Sequence, residues 1–274
     1  MHHSPYLIIM IEIPHIMDEW TDFYKKNPEL YLNEFESKSE EGVKIAEGIA
    51  NYIHENKPSA KIILDIPCGT GRISIPLARQ GFKVIGIDFS KVFIEHAISK
   101  AVNNNLVNNV NFLEKDMYDL KSDMLETRPD VIINWWTSIG YHSPMKDVTF
   151  FKRLRDLSKT GTLFMVETWH REFIINHPIR KMWKSLGNNI VLVENNFDYS
   201  SSSIQSNHKY YEKNINDLKY LGQFDSRIIV YDKDELELML EKSGWKIVGT
   251  YNDIFTRAPF LQTKDRLLII SKAI

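Results

Sequence analysis

Cysteine is almost absent from the chain, since Cys68 is the only one among 274 residues. A single thiol excludes an internal disulfide and is typical of a reducing compartment. Charge of neither sign is in large excess, because 34 Lys and Arg residues are balanced by 36 Asp and Glu residues. This balance gives no overall attraction to nucleic acid or to an anionic membrane. We therefore expect a cytoplasmic protein with no nucleic-acid partner and no membrane attachment.

Long apolar runs are also missing. The stretch from Leu7 to Ile13 is interrupted by Glu12, and it is far shorter than the roughly 20 residues that cross a bilayer. The residues before it lack the basic region of a signal peptide, so we expect an edge strand or a leader that precedes the domain. No spacing of His, Cys, Asp or Glu stands out as a metal site, and we expect none.

The residues that are present support a sizeable core, because 43% are hydrophobic and 12% are aromatic. The length suits one α/β domain with an elaboration. Residues 1–59 are expected to be helical, with two short helices on either side of Pro28 and a longer helix over about 40–55. Tyr24 and Tyr31 lie in this segment, where contact with a ligand and packing in the core are both open.

One stretch, residues 61–72, combines an apolar run with closely spaced glycines. The run over 62–64 ends in Asp65, and Gly69 and Gly71 precede a helical pattern. The stretch therefore predicts a buried strand, a tight loop and a helix start. Glycine permits positive φ, and a helix start offers unpaired N–H donors, so this loop is shaped to hold a small polar ligand.

Two carboxylates indicate what kind of ligand that is. Asp65 ends the first strand, where it would repel the pyrophosphate of a dinucleotide and attract a cation. Residues 82–87 predict the next strand, and Asp88 closes it at a place suited to accept from both hydroxyls of a ribose. A nucleoside with a cationic, amine-bearing tail fits both acids.

The loop Asp65-Ile66-Pro67-Cys68-Gly69-Thr70-Gly71, followed by Asp88-Phe89-Ser90, resembles the nucleotide loop of class I S-adenosylmethionine-dependent methyltransferases. The resemblance covers about residues 60–170, and the tail over about 232–274 also fits. One departure is Pro67, which stands where the family commonly has the first of three alternate glycines. The resemblance implies S-adenosylmethionine as cofactor and S-adenosylhomocysteine as product. The cofactor-binding residues that it implies are Asp65, Pro67, Cys68, Gly69, Thr70, Gly71, Asp88, Phe89, Asp116, Met117 and Asn134.

Residues farther along the chain complete the expected cofactor site. In the family an acid after the third strand commonly accepts from the adenine amino group, and Asp116 with Met117 follows the strand predicted over 110–114. Capping of a turn is the other interpretation of Asp116. Asn134 ends the fourth strand and is expected near the sulfonium. Two other interpretations remain open, a Rossmann-like core that binds no cofactor and a nicotinamide-binding domain. A nicotinamide-binding domain would have a third glycine at the position of Ser74.

The remaining pattern predicts an α/β fold of alternating strands and helices. The resemblance implies that this is a Rossmann-like three-layer sandwich whose seven-stranded sheet is mostly parallel with an antiparallel last strand, and that residues 1–59 form a helical cap or lid. Helices are expected over about 72–80, 90–103, 145–158 and 232–243, and further strands over 131–133, 162–167, 245–251 and 266–271. The methyltransferase domain is expected over 60–274. A small antiparallel β insertion is predicted at about 187–231, with strands over 190–194, 203–211 and 226–231 linked by 195–198 and 214–217. The resemblance implies that this insertion covers the active site.

The carboxyl end of the fourth strand is expected to hold the methyl acceptor. Trp135 and Trp136 would wall this site as substrate-binding residues, although one of them could face the core. His142 and Tyr141 are the candidate catalytic residues, with His142 first, because a hydroxyl or protonated amine must lose a proton. His170 follows the fifth strand and is a further substrate-side candidate.

The expected function is transfer of a methyl group to an oxygen or nitrogen atom of a small-molecule acceptor. The chain lacks the Asn/Asp-Pro-Pro-Tyr/Phe motif of enzymes that methylate exocyclic base amines or glutamine amides. Cys68 lies in the wrong loop to be the nucleophile of a pyrimidine-carbon methyltransferase, so it is expected to line the cofactor loop. A methyltransferase of RNA or protein, and a cofactor-binding protein without turnover, remain as alternatives.

Overall fold

The computed structural model describes residues 28–121 and 123–274. The predicted short helix before Pro28, Tyr24 and the apolar stretch over 7–13 lie outside the described residues. The described strands are β1 (Ile62–Asp65), β2 (Lys83–Asp88), β3 (Val110–Glu114), β4 (Val131–Asn134), β5 (Leu163–Trp169), β6 (Lys181–Leu186), β7 (Asn189–Asp198), β8 (Ser203–Lys213), β9 (Leu218–Ile229), β10 (Trp245–Tyr251) and β11 (Arg266–Ala273). The described helices are α1 (Pro28–Glu36), α2 (Ser39–Asn56), α3 (Ser74–Arg79), α4 (Lys91–Asn103), α5 (Pro144–Leu157), α6 (Arg171–Asn176) and α7 (Lys233–Glu241).

The larger sheet has seven strands in the order β10-β11-β5-β4-β1-β2-β3. β1 pairs in parallel with β2 and β4, whereas β11 is antiparallel to both β5 and β10. The predicted fold class, with its antiparallel last strand, is confirmed. Because parallel strands share one direction, the carboxyl ends of β1, β2 and β4 lie on the same edge, where open α/β sheets bind their ligands.

Helices cover both faces of this sheet, since successive residues of a strand point to opposite sides. Ile63 and Val131 pack in one buried cluster with residues of α2, α3 and α4. Leu64 and Ile132, their neighbours in the chain, pack in a second cluster with residues of α5 and α7. The three predicted layers are therefore present, and the loops at the carboxyl edge rest on a rigid support.

The smaller sheet is antiparallel, with the order β6-β7-β8-β9. A small antiparallel insertion was predicted, but three of its details were wrong. The strand predicted over 226–231 covers only the end of β9, which begins at Leu218. The predicted link over 195–198 belongs to β7, where Asp198 pairs with Ser203, because pairing with β8 outweighs the turn preference of the asparagines. Strand β6 was missed, since its exposed residues carry a weak apolar pattern. The predicted link over 214–217 is confirmed.

The inner face of the smaller sheet packs against α1 and the start of α4. Tyr31 of α1 is 8% exposed and lies in one cluster with Phe93, Val191 and Tyr210. The rings of Tyr31 and Phe224 lie 5.3 Å apart. Tyr31 therefore packs in a core, which is one of its two predicted roles, and the smaller sheet is held beside the helix that follows β2.

Candidate functional site

The glycine loop after β1 has the backbone that its sequence predicts. Gly69 and Gly71 have φ of +53° and +73°, and the Ile66–Pro67 bond is cis. The amide of Cys68 donates to the carbonyl of Ile87 at 2.9 Å, which joins the loop to β2. A Cβ on Gly71 would lie 2.9 Å from the ring of Phe112, so the position has no room for a side chain.

Asp88 closes β2 and fixes the conformation of this loop. Its carboxylate accepts from the amides of Gly69 and Ser90, each at 2.9 Å. Burial raises the pKa of Asp88 to about 6, although the amides of Ser90 and Gly69 oppose the shift. Because two oxygens offer about four acceptor positions, Asp88 can hold the loop and still accept from a ligand hydroxyl.

Asp65 lies at the end of β1 and is 2% exposed. The hydroxyl of Ser74 donates to its Oδ2 at 2.5 Å, so the residue that stands in place of a third glycine supports the acid. Burial raises the pKa of Asp65 to about 7, and the charge of Asp88 adds to the rise while Ser74 opposes it. A cation would relieve this cost by pairing with the ionised form.

Cys68 and Thr70 are turned inward from the loop. Cys68 is 7% exposed, and burial followed by the charge of Asp88 raises the pKa of its thiol well above the ordinary value. A thiol in this state is a poor nucleophile, which agrees with a lining role. Thr70 is fully buried, and its hydroxyl donates to Glu36 of α1 at 2.9 Å. Lys100 of α4 pairs with the same carboxylate at 3.0 Å, so Glu36 ties α1 to the loop.

Asp116 and Met117 follow β3 as predicted. Asp116 is exposed and its Oδ1 accepts from the amide of Tyr118 at 2.8 Å, which caps the short 3₁₀ turn Met117–Asp119. The capping interpretation is therefore correct, but it leaves the second oxygen of Asp116 able to accept from a ligand. Met117 is 7% exposed and packs in the same cluster as Leu64. Phe89, after β2, is partly buried against the cluster of Tyr31.

Asn134 ends β4 beside the loop and is fully buried. Its side-chain amide donates to the carbonyl of Ile66 at 2.8 Å, whereas its Oδ1 has no hydrogen-bond partner among the described residues. A buried acceptor without a donor costs about 1–3 kcal/mol. This oxygen is therefore suited to a ligand that brings a donor.

The two tryptophans after Asn134 take different roles. Trp135 is 5% exposed and packs in the cluster of α2 and α3, so it is the one that faces the core. Trp136 is partly buried and has φ of +58°, followed by Thr137 with +57°. Backbone in this region is unfavourable for residues other than glycine. The carboxylate of Glu167 holds the strained turn by accepting from the amide of Trp136 at 2.8 Å.

Arg72 is a residue of this site that the sequence analysis missed. It directly follows Gly71, is 7% exposed, and its guanidinium lies 3.7 Å from the ring centroid of Trp136 and 4.6 Å from that of Phe35. Burial lowers the pKa of Arg72 to about 10, although the charges of Glu41 and Glu36 oppose the shift. Its position next to the glycine loop could have identified Arg72 as a site residue from the sequence. No feature of the sequence indicates that Glu36 or Glu167 belongs to the site.

The candidate catalytic residues lie in the loop before α5. His142 is half-buried and its ring packs edge-on against Tyr118 with centroids 4.5 Å apart. Burial and Lys146 lower the pKa of His142, so its imidazole is neutral near pH 7 and able to accept a proton. Burial raises the pKa of Tyr141 far above its ordinary value, which makes Tyr141 a donor of hydrogen bonds and a poor base.

The buried carboxylate of Asp147, in the first turn of α5, supports that loop. Asp147 is fully buried and accepts from the hydroxyl of Tyr231 at 2.6 Å, the hydroxyl of Tyr118 at 2.8 Å and the amide of Gly140 at 3.0 Å. Burial raises the pKa of Asp147 to about 6, and the two tyrosines oppose the shift. The network fixes the backbone next to Tyr141 and the ring that contacts His142.

His170 lies apart from this network, at the start of α6. It is 1% exposed and packs edge-on against Phe260, with centroids 4.7 Å apart. Its Nδ1 has no hydrogen-bond partner among the described residues. Arg171 pairs with Asp232 and with Glu235, so its charge is already neutralised. A role of His170 at the substrate stays a prediction.

The arrangement suits a ligand with a cation, a diol and a flat ring. Two acids at strand ends flank the glycine loop, and next to it Asn134 has an acceptor and Arg72 a donor without a partner among the described residues. In residues 28–121 and 123–274, no cluster of three or more His, Cys, Asp or Glu is placed to hold a metal. In the same residues no helix is long and apolar enough to cross a membrane.

Comparison with known proteins gives a family match and similar folds. A family described as methyltransferase domain matches residues 57–244. The fold is similar to that of an S-adenosylmethionine-dependent methyltransferase from Clostridium acetobutylicum, with a TM-score of 0.72 and 15% identity over 93% of this chain and 97% of that one. It is also similar to S-adenosylmethionine-bound CalS10, an amino pentose methyltransferase from Micromonospora echinaspora, with a TM-score of 0.66 and 12% identity over 89% of this chain and 97% of that one.

Among curated proteins, the ubiquinone biosynthesis O-methyltransferase of Rickettsia akari is 42% identical over 81 residues, which cover 29% of this chain and 30% of that protein. The chain spans less than half the length of the first curated relatives that it matches. The solved structures have low identity to this chain and show the fold alone.

Proposed function

The chain belongs to the methyltransferase domain family of class I Rossmann-like enzymes, and from that premise we propose that it methylates an oxygen or nitrogen atom of a small-molecule acceptor. It is an S-adenosylmethionine-dependent methyltransferase, and S-adenosylmethionine is its cofactor. The observation that carries the proposal is the placement of a neutral, half-buried histidine, His142, at the sheet edge that carries the cofactor loop.

Each part of the cofactor has a matching group in the described residues. Asp65 and the unpartnered oxygen of Asn134 would bind the amine, and Asp88 the ribose hydroxyls. The free oxygen of Asp116 and the amide of Met117 would bind the adenine edge. Pro67, Cys68, Gly69, Thr70, Gly71 and Phe89 would line the loop. When bound, the cofactor supplies a methyl group activated by its sulfonium.

The residues on the acceptor side would align the nucleophile and take up its proton. Methyl transfer is an in-line displacement, so orientation and exclusion of water supply much of the rate. Trp136 would form one wall of the acceptor site, and His142 would accept the proton from a hydroxyl or protonated amine. Tyr141 would orient the acceptor by a hydrogen bond, and His170 is retained as a more remote substrate contact.

The segments around the catalytic domain would act as covers. Of the predicted cap over 1–59, we assign the described residues 28–59, with helices α1 and α2, to a cover for the methyltransferase domain over 60–274, and we place the insertion at about 187–231 on its substrate side. Support comes from Glu36 of α1, which accepts from Thr70 in the cofactor loop, and from the packing of the smaller sheet on α1. Cytoplasmic location is proposed from the lone cysteine, Cys68, which is free.

Calorimetry tests the cofactor site first. The protein should bind S-adenosylmethionine with a micromolar or tighter Kd and should not respond to NAD, and Asp88→Ala should abolish binding. A response to NAD in place of S-adenosylmethionine would contradict the assignment of Asp65 and its loop.

A panel of small amines, phenols and acids, with methyl transfer followed from labelled cofactor, then tests the acceptor. Transfer to a panel member that is lost in His142→Gln supports the proposal. Transfer to RNA or protein with none to small molecules would make the alternative macromolecular substrate correct. Binding of cofactor without transfer to any acceptor would indicate a protein without turnover.

A further inference from the structure

Arg72 is a buried cation that forms no ion pair with any acid in residues 28–121 and 123–274. It is 7% exposed, and its Nη1 is buried with no hydrogen-bond partner among the described residues. A guanidinium in such a place is costly unless its donors are satisfied. The rings of Trp136 and Phe35 lie against the guanidinium, and stacked rings stabilise the charge but accept no N–H bonds in the guanidinium plane.

Four acids act on Arg72 by charge, Glu41 most strongly and then Glu36, Asp65 and Glu34. None of the described acids lies close enough to form an ion pair with Arg72, and two of these four, Glu36 and Asp65, are engaged with other groups. Glu36 accepts from Thr70 at 2.9 Å and pairs with Lys100 at 3.0 Å. Asp65 accepts from Ser74 at 2.5 Å. The carboxylates therefore make the surroundings of Arg72 negative without pairing with Nη1, which remains available to a ligand.

The strained backbone at Trp136 keeps this arrangement in place. Trp136 has φ of +58°, and Glu167 fixes it by accepting from its amide at 2.8 Å. Glu167 in turn pairs with Arg266 at 3.2 Å. Strain that the surrounding structure maintains is typical of functional sites, and here it sets the ring that stacks on Arg72.

The unpartnered atoms next to the cofactor loop have opposite polarity. Nη1 of Arg72 is a donor, and Oδ1 of Asn134 is an acceptor. An α-amino acid group supplies both counterparts, because its ammonium donates and its carboxylate accepts. The match points to a carboxylate as the missing partner of Arg72.

We propose that Arg72 binds a carboxylate at the methyl-transfer site, with Phe35 and Trp136 holding the guanidinium so that its planar fork meets the carboxylate oxygens. The assignment rests on the proposed function, since it takes the loop as the cofactor site. Two molecules can supply the carboxylate: the amino-acid end of the cofactor, or the acceptor.

The first arm of the test compares S-adenosylmethionine with decarboxylated S-adenosylmethionine, which lacks only the carboxylate, by calorimetry. If the cofactor supplies the group, the wild type prefers S-adenosylmethionine by roughly 10- to 100-fold, the scale of a hydrogen bond to a charged group. Arg72→Gln removes this preference. Arg257→Gln is the matched control, since Arg257 also lies over a ring, that of Tyr52 at 5.9 Å, but has Glu55 as its partner.

The second arm uses protein saturated with S-adenosylhomocysteine and titrates it with benzoate or with neutral benzamide. Shifts of the tryptophan indole N–H signals in NMR spectra report binding next to Trp136. If the acceptor supplies the carboxylate, benzoate shifts one indole signal, benzamide does not, and Arg72→Gln abolishes the shift.

No carboxylate preference in either arm would overturn the assignment of Arg72. Failure of the wild type to bind either form of the cofactor would instead refute the proposed function, so the two failures are distinguishable. Arg72→Met provides a second variant that keeps an apolar stem and removes the buried charge. We expect it to fold with an unchanged or raised melting temperature and to lose the carboxylate preference; a lowered melting temperature together with a retained preference would mean that Arg72 is a packing residue.

Discussion

The pH dependence of cofactor binding tests the role of Asp65 directly. Burial raises the pKa of this acid to about 7 in the ligand-free protein, and a ligand ammonium requires the ionised form. With that pKa, Asp65 is about one-tenth ionised at pH 6 and about three-quarters ionised at pH 7.5. The affinity for S-adenosylhomocysteine should therefore fall roughly eightfold when the pH is lowered from 7.5 to 6.

The assay is calorimetric titration at several pH values with two ligands. S-adenosylhomocysteine carries the amino-acid end, whereas 5′-methylthioadenosine lacks it and reports only on the ribose and adenine contacts. Dividing the two affinities removes the contribution of Asp88, whose pKa is about 6. Asp65→Asn, which keeps an acceptor for Ser74, should flatten the remaining slope. Equal slopes for both ligands in the wild type would refute the pairing of Asp65 with the amine.

The stability of the ligand-free protein should depend on pH in the opposite direction from ligand affinity. The pKa of Asp65 in the folded protein, about 7, exceeds its ordinary value of 3.8, so folding favours the protonated form. Its contribution to stability is fully present below the ordinary pKa and is lost as the pH rises through about 7. The difference in melting temperature between Asp65→Asn and the wild type should therefore grow in favour of the variant as the pH is raised; a difference that is constant with pH would contradict the raised pKa.

Three further predictions concern packing around the site. Gly140→Ala should lower the free energy of unfolding by about 3 kcal/mol or more, because Gly140 has φ of +85° and a Cβ would lie 2.0 Å from a carbonyl of β9. Gly187 has φ of +57° in open space, so Gly187→Ala should cost only about 1 kcal/mol in the same urea denaturation assay. Equal costs for the two variants would contradict the steric argument. Tyr231→Phe should lower the free energy of unfolding by about 1 kcal/mol, and Asp147→Ala should lower it by roughly 3 kcal/mol, because removal of Asp147 leaves three donors without an acceptor. The reverse order in the same assay would refute the importance of this hydrogen-bond network. Glu36→Gln should lower the free energy of unfolding by only about 1 kcal/mol in melting experiments, because the ion pair with Lys100 is partly exposed. The variant should also bind S-adenosylhomocysteine more weakly. Unchanged binding would mean that the contact of α1 with the cofactor loop does not contribute to cofactor affinity.

The central sheet and the cofactor loop were accessible from sequence because their signals are local. Buried parallel strands are short apolar runs, and the predicted bounds of β3 and β10 agree with the structure. The acids Asp65 and Asp88 stand at strand ends, and Ser90 caps α4 by accepting from the amide of Phe93 at 3.4 Å. Each of these features depends on residues within a few positions of one another.

The antiparallel insertion was less accessible, since its exposed faces dilute the alternation of apolar and polar residues. Strand β6 was missed for that reason, and the asparagines in β7 suggested a link that pairing with β8 overrides. Short helix α6 after β5 was missed as well, because six residues are too few for a helical period to emerge.

The sequence by itself determined the order of the elements, the glycine loop and the acids at the strand ends, because each follows from apolar periodicity or from the backbone freedom of glycine. Only the tertiary structure decided which distant side chains meet at the site. Glu36 meets Thr70 across 34 positions, Glu167 meets Trp136 across 31, and Arg72 lies against rings from α1 and from the turn after β4. Such contacts leave no periodic trace in the chain, because they arise from the packing of layers around one sheet edge.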